Sequence, residues 1–509
     1  MLVKIILLLL FFGCMIGVGL YARKSTSSTN DFVLGGRNVG PWLSAFAYGT
    51  SYFSAVVFVG YAGQFGWKYG LASTWIGLGN AVLGSLLAWV AMGRRTRVMT
   101  HHLEVATMPD FFGKRYDSNV IKITASVIAF VFLIPYTASV YNGLSRLFGM
   151  AFDIPYTVCV VTMAVLTGIY VILGGYMATA INDFIQGIIM LVGIVAVIGA
   201  VLSGQGGFLE AVRKLSEIPS DVPVTMGQQG AFASFFGTDP LNLLGVIILT
   251  SLGTWGLPQM VHKFYAIKSE RAIKTGTIVS TFFAVIVSGG CYFLGGFGRL
   301  FDSEALYKAD GTVLYDAVVP TMLATLPDIL IGIVIVLVLS ASMSTLSSLV
   351  LTSASTLTLD FLKGNLVKDM DDKKQLIYIR VLIVFFIVLS VVLALNPPTF
   401  IAQLMGISWG ALAGAFLAPF LYGLYWKGVT KAGVWASFIC GVGITVSNMF
   451  LKFIASPINA GAVAMIAGLI VTPLVSLVTP KLENQFLGKI FMCYDNTVNV
   501  SKKEYLKED

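Results

Sequence analysis

The sequence predicts an all-α integral membrane protein, and three observations predict it. Of 509 residues, 57% are hydrophobic and only 11% charged, whereas soluble chains carry about a quarter charged residues. Apolar runs near the ~20 residues that a membrane-crossing helix needs recur along the whole chain. Lys and Arg gather in alternate connections between those runs, the bias expected of loops facing the cytoplasm. The net charge of +8 therefore belongs to loops and is no nucleic-acid footprint. Five cysteines (Cys14, Cys159, Cys291, Cys440, Cys493) are scattered without metal or redox spacing. His101, His102 and His262 fall in or at the edges of polar loops, which leaves little for a zinc centre or a buried histidine relay.

Span one, 3–22, carries one lysine near its start and Arg23-Lys24 after it. It lacks the front-loaded charge and small-residue cleavage site of a signal peptide, so it is expected to be retained with the N-terminus outside. Spans two to six follow at 41–65, 70–93, 120–150, 155–174 and 177–201; spans seven to eleven at 240–261, 274–298, 327–358, 376–395 and 398–424; spans twelve and thirteen at 431–455 and 461–480. With the C-terminus inside, this count of thirteen puts 25 of the 33 Lys and Arg on the inner side and 8 outside; moving one span scrambles the bias. The expected organisation is a first span and cytoplasmic loop (1–40), a five-span repeat (41–201), an external loop (202–239), a second five-span repeat (240–426), and two accessory spans with a short charged tail (427–509). No stretch is long and polar enough for a catalytic or signalling domain.

Two spans are interrupted. Span two reads Pro41-Trp-Leu-Ser-Ala-Phe-Ala-Tyr-Gly49-Thr-Ser-Tyr-Phe-Ser54, and span seven reads Leu249-Thr-Ser-Leu-Gly-Thr254-Trp-Gly-Leu-Pro258-Gln259. Each opens a group of five spans. Because five is odd, the second group enters the membrane inverted, and matched interruptions in inverted halves point to a transporter site at the midplane. Unwound backbone there offers carbonyls to a cation and N–H groups to an anion. Simple kinks are the competing reading.

Span nine carries eleven hydroxyl residues from Ser340 to Thr358. At 100° per residue Ala341, Ser344, Thr345 and Ser348 share one face, with Ser347 on its flank. Such a stripe suits a small hard cation such as sodium; it also suits close helix packing or bonds back to the helix's own carbonyls.

Several motifs then stand in a recognisable order: Phe32-Val-Leu-Gly-Gly-Arg37, Met108-Pro-Asp-Phe-Phe-Gly-Lys-Arg-Tyr116, Gly174-Gly175 before Asp183, Ala341-Ser-Met-Ser-Thr-Leu-Ser-Ser348, and Ala413-Gly-Ala-Phe-Leu-Ala-Pro-Phe-Leu-Tyr-Gly-Leu-Tyr-Trp426. From about Tyr21 to Trp426 the chain resembles the sodium/solute symporter family, which includes sodium/proline, sodium/pantothenate and sodium/glucose transporters. The resemblance implies a LeuT-type inverted repeat with one extra N-terminal and two extra C-terminal spans, matching the topology above. It implies a main sodium site from the carbonyls of Thr50, Phe53 and Ala341 and the hydroxyls of Ser344 and Thr345. It implies, in some members, a second sodium held by Asp183, Ser344, Ser347 and Ser348. Independently, Asp183 lies roughly 9 Å along its helix from Met177 at 1.5 Å per residue, a depth compatible with Ser347 and Ser348. An intramembrane acid is a functional candidate by default; a proton-coupled role, or a shallow Asp bonded to Asn182 or Gln186, is the alternative. For a small organic solute the resemblance implies Tyr52, Ser54, Tyr136, Thr254, Trp255 and Pro258, with Gln64 and Gln259 as polar neighbours.

Two departures bear on the solute. Proline symporters carry Asp where this chain has Tyr52, and Thr50-Ser-Tyr-Phe-Ser54 with Trp67-Lys-Tyr-Gly70 is closer to the pantothenate and carboxylate branch. Val57 stands where the sugar branch has a histidine. The expected function is sodium-coupled uptake of a small amino acid or carboxylate across the cell membrane by alternating access, with a sugar or sialic acid as the alternative substrate. An intramembrane enzyme would need a second acid, a histidine or a metal cluster beside Asp183, and the spans offer none. A channel or sensor is the remaining class, and a sensor would be expected to append a signalling domain.

Overall fold

The computed structural model describes residues 2–23, 28–152, 154–363, 365–367 and 370–495. Of the lysines assigned to the inner side, Lys24, Lys368, Lys502, Lys503 and Lys507 lie outside those residues. Each of the thirteen predicted windows is built of helix. Among the described residues ten helices are long and apolar enough to cross a membrane, or eleven when the bent pair Pro240–Trp255 and Pro258–Tyr265 counts as one span.

Two of the ten are too long for a single crossing. Val56–His102 has 47 residues and Tyr156–Gly204 has 49, which at 1.5 Å per residue is about 70 Å against a ~30 Å hydrocarbon core. Glycines with positive φ interrupt both, Gly70 (φ 61, ψ −142) and Gly175 (φ 56, ψ −150). A Cβ on Gly175 would also stand 2.7 Å from the Phe32 carbonyl oxygen, so only glycine fits this break. The two ends of the 49-residue run return to the same end of the bundle. Tyr156 bonds the Ala394 carbonyl at 2.7 Å, and Leu202 packs in a cluster with Phe297.

The loops predicted to share a side do share an end of the bundle. At one end Arg97 donates to the Ile267 carbonyl (2.9 Å), Thr107 to the Asp360 carboxylate (2.6 Å), Arg115 to the Gly423 carbonyl (2.9 Å) and Thr29 to the Asp372 carboxylate (3.4 Å). Helices leaving this end start on side-chain caps. Thr107, Ser269, Asp371 and Thr430 accept from the amides of Asp110, Ala272, Lys374 and Gly433 at 3.0–3.4 Å, satisfying amides that a helix start leaves open. At the other end Arg299 clasps Asp221 (2.6 and 2.9 Å), Lys68 lies over the Tyr315 ring, and Asp316 accepts from the Ile401 amide at 3.3 Å.

Burial separates a core from a rim. The most apolar stretches of spans nine and eleven are 78% and 94% buried, against 22% for span one and 28% for span ten. The hydroxyl stripe therefore runs through the centre of the molecule, where an unshared polar atom costs most.

Candidate cation and solute site

Span two is broken where its sequence predicts. The helix Pro41–Tyr52 stops at Phe53, which is extended (φ −112, ψ 118), and helical turns resume at Val56. Carbonyls in the last turn before the break lose their i+4 donors, and span nine meets them there. The Ser344 hydroxyl lies 3.1 Å from the Thr50 carbonyl and 3.0 Å from that of Ala341. The Thr345 hydroxyl lies 3.1 Å from the Ala341 carbonyl, 3.4 Å from Ser51 and 3.5 Å from Thr50. All five residues are buried.

Five oxygens share two hydroxyl protons here, and each hydroxyl donates only one bond at a time. The cluster is rich in acceptors and short of donors, the composition that a bare cation completes. Of the predicted ligands Thr50, Ala341, Ser344 and Thr345 come together. Phe53 sits at the break with its ring stacked on Tyr52 at 4.4 Å and on Phe283 at 6.1 Å; the neighbouring carbonyl that Thr345 reaches is Ser51.

One turn along span nine the picture changes. Asp183 is fully buried, with no hydrogen bond to its carboxylate among the described residues. Its partner is an ammonium, Lys263 Nζ, at 3.6 Å, which is ion-pair distance. The same ammonium donates to Ser348 at 2.9 Å and lies 5.1 Å from the centre of the Tyr176 ring. Ser348 is also 2.9 Å from the Ser51 hydroxyl, and Ser347 donates to the Ser344 carbonyl at 2.9 Å. Lys263 thus stands between the acid and the hydroxyl it was predicted to share with a cation. Asn182 and Gln186 turn instead to Met15. The sequence placed Lys263 and His262 in an inner loop; both are buried on Pro258–Tyr265, the second half of broken span seven.

The predicted solute residues divide. Tyr52 stacks on Trp409 at 6.1 Å and bonds the Thr250 carbonyl, and Tyr136 meets Trp409 edge-on at 5.8 Å. Ser54 lies in the break and accepts from the Val56 amide at 3.2 Å. Thr254 and Trp255 instead reach span three, donating to the carbonyls of Gly84 (3.2 Å) and Leu83 (2.9 Å). Pro258 is the first residue of the second half-helix, where its missing N–H costs nothing. Gln64 and Gln259 are buried, and the Gln64 side-chain oxygen and both polar atoms of the Gln259 amide have no hydrogen-bond partner among the described residues.

A model of the sodium:solute symporter family matches residues 32–441. The chain belongs to the sodium:solute symporter family. It is 30% identical over 504 residues to the sodium/proline symporter of Staphylococcus aureus, covering 94% of this chain and 93% of that one. Its fold is similar to that of a substrate-bound, outward-open Na+-coupled sialic acid symporter, with TM-score 0.76 and 17% identity over 94% of this chain and 98% of the other. It is also similar to Mhp1, a nucleobase-cation-symport-1 family transporter, in a closed conformation (TM-score 0.52, 14% identity, 90% and 97% covered). The protein is a multi-pass membrane symporter of LeuT-type fold that couples sodium to a small solute, and it is not an enzyme.

Three residues of this symporter escaped the sequence. Trp409 packs against Gly253 at the span-seven break, where a Cβ would come 2.7 Å from its ring. Its signal was a single large aromatic amid small residues, Gly406-Ile-Ser-Trp409-Gly410-Ala411. Lys263 was masked by its place in a basic run. Ser51 contributes a carbonyl and a hydroxyl, and a carbonyl leaves no mark in a sequence.

Proposed function

We propose that sodium binds between the broken end of span two and span nine, held by Thr50, Ser51, Ala341, Ser344 and Thr345, with Phe53 at the rim. The carrying observation is the donor-poor cluster of five buried oxygens on two separate elements. Its donor set is neutral oxygen alone. That suits a monovalent ion that must leave again, whereas calcium recruits carboxylates and more ligands.

The proposed solute pocket lies beside it, lined by Tyr52, Ser54, Tyr136 and Trp409, with Gln64 and Gln259 as the polar groups awaiting a partner. Aromatic faces with a few polar tips favour a small solute with an apolar body, such as an amino acid or a short carboxylate. Span two contributes to both sites, so a bound sodium fixes the backbone that carries Tyr52 and Ser54. Sodium then favours the outward-open state and completes the solute pocket. Release of both to the cytoplasm follows when the repeat bundle rocks. The drive is the ion's electrochemical drop, about 2.3 kcal/mol per charge per 100 mV from voltage alone. In the orientation proposed, thirteen spans place the N-terminus outside and the basic end of the bundle in the cytoplasm.

A thermal-shift panel of amino acids, short carboxylates, pantothenate, sugars and sialic acid, with and without sodium, selects the solute, since a ligand of the folded state raises apparent stability. Uptake of that solute into reconstituted vesicles is then expected to depend on sodium and to exceed the external concentration. The double variant Ser344→Ala/Thr345→Ala is expected to insert normally and lose the sodium stimulation. Unchanged sodium dependence in that variant defeats the proposal.

A further inference from the structure

Asp183 and Lys263 form a fully buried ion pair directly beside the proposed sodium cluster. The link is short and continuous. Ser348, which holds the ammonium at 2.9 Å, bonds the Ser51 hydroxyl at 2.9 Å, and the Ser51 carbonyl faces Thr345.

We propose that the Lys263 ammonium is this protein's built-in second cation: it occupies the acid-and-hydroxyl position made by Asp183 and Ser348, so that a single sodium ion binds, in the neighbouring oxygen cluster. This deepens the reading given above and rests on it.

Geometry and charge both carry the inference. A cation shared by Asp183 and Ser348 would have to stand between them, and that place is filled by Nζ, 3.6 Å from one and 2.9 Å from the other. The Tyr176 ring face at 5.1 Å supplies further cation-stabilising density. Asp183 and Lys263 cancel each other's charge. A sodium added to the neutral pair would leave an uncompensated positive charge in a low-dielectric interior, next to the charge of the main sodium. The lysine is delivered by Pro258–Tyr265, the half-helix beyond the span-seven break. It therefore bridges that half-helix to spans six, nine and, through Ser348 and Ser51, two. A tethered ammonium can do what a diffusible ion does for Asp183, namely neutralise it and tie the helices together. It cannot be transported, so it adds nothing to the coupled charge.

The test is ²²Na+ binding to the purified full-length protein, read as saturating stoichiometry and as the slope of the titration, with no solute needed. The wild type is expected to bind one sodium per chain with a Hill slope near 1. Lys263→Gln vacates the position and leaves Asp183 unneutralised, so it is expected to bind two, with a slope well above 1 and a melting temperature that rises more steeply with sodium than the wild type's. The double variant Asp183→Asn/Lys263→Gln removes acid and ammonium together and is expected to return to one. Two sodium ions in the wild type, or one in a folded Lys263→Gln, overturn the inference and leave the main site standing. No binding by the wild type overturns the main site and this inference together. A wild-type stoichiometry of two overturns the inference even where a variant fails to fold.

Discussion

At the scale of single residues, the hydroxyl stripe of span nine is not uniform. Ser344 and Thr345 face the carbonyls of a broken helix. Ser342, Ser355 and Thr358 bond back to carbonyls four residues earlier, at 2.6–2.8 Å, the arrangement of hydroxyls that serve the helix itself. The Ser340 hydroxyl is buried without a hydrogen-bond partner among the described residues. Ser340→Ala is therefore expected to leave sodium affinity unchanged and stability unchanged or slightly raised, because it removes an unmet polar group. Ser344→Ala, about one turn away on the same helix, is expected to lose sodium binding; equal effects at both positions in a sodium titration would show that the stripe acts as a whole. Trp409 is the second residue-scale test. Trp409→Phe keeps an aromatic ring but weakens the contacts with Tyr52 and Tyr136. At about 1 kcal/mol for such aromatic pairing, solute affinity is expected to fall roughly fivefold with sodium affinity intact. An unchanged solute titration would remove Trp409 from the pocket.

At the scale of elements, the proposed sites lie where helices stop. Span two ends at Tyr52 and resumes at Val56, and span seven changes direction by 40° between Trp255 and Pro258. Each break frees backbone groups that a continuous helix would consume. Gly175 makes another break, at φ 56 and ψ −150, against the Phe32 carbonyl. Gly175→Ala is expected to destabilise the protein by at least the ~1–3 kcal/mol of a residue held in such a backbone region. This should appear as a lower melting temperature in detergent. Gly199→Ala, on the same helical run with nothing within 4 Å of its Cβ, is the control expected to melt like the wild type or slightly higher. Similar losses in both would mean that the backbone at Gly175 has no special requirement.

At the scale of the whole molecule, the two ends of the bundle differ in chemistry and in place. One gathers most of the side-chain-capped helix starts and most of the basic loops; the other carries the Arg299–Asp221 clasp. In a cysteine-free background, Glu217→Cys on the helix Phe208–Glu217, which the proposed orientation puts outside, is expected to react with a membrane-impermeant maleimide in intact cells. Lys373→Cys at the start of Asp372–Leu395 is expected to react only after permeabilisation. The reverse pattern would invert the proposed orientation.

How much was legible follows from these scales. Composition, apolar run length and charge alternation depend on the solvent in which each segment must lie, so they determined the helical membrane class, the presence of helix in each expected window and which loops share an end. Gly, Pro and Ser-rich interruptions marked the broken spans, because backbone that leaves a helix at bilayer depth needs those residues. Thr50, Ala341, Ser344 and Thr345 were legible through their motifs. What only the tertiary structure decided is who meets whom across the breaks. It turned Thr254 and Trp255 toward span three, brought Trp409 between Tyr52 and Tyr136, and carried Lys263 out of a basic run and into the core beside Asp183. A lysine reads the same in a loop as in a core; its partner is set by the bend of the half-helix that carries it, and a bend of that kind is a property of packing.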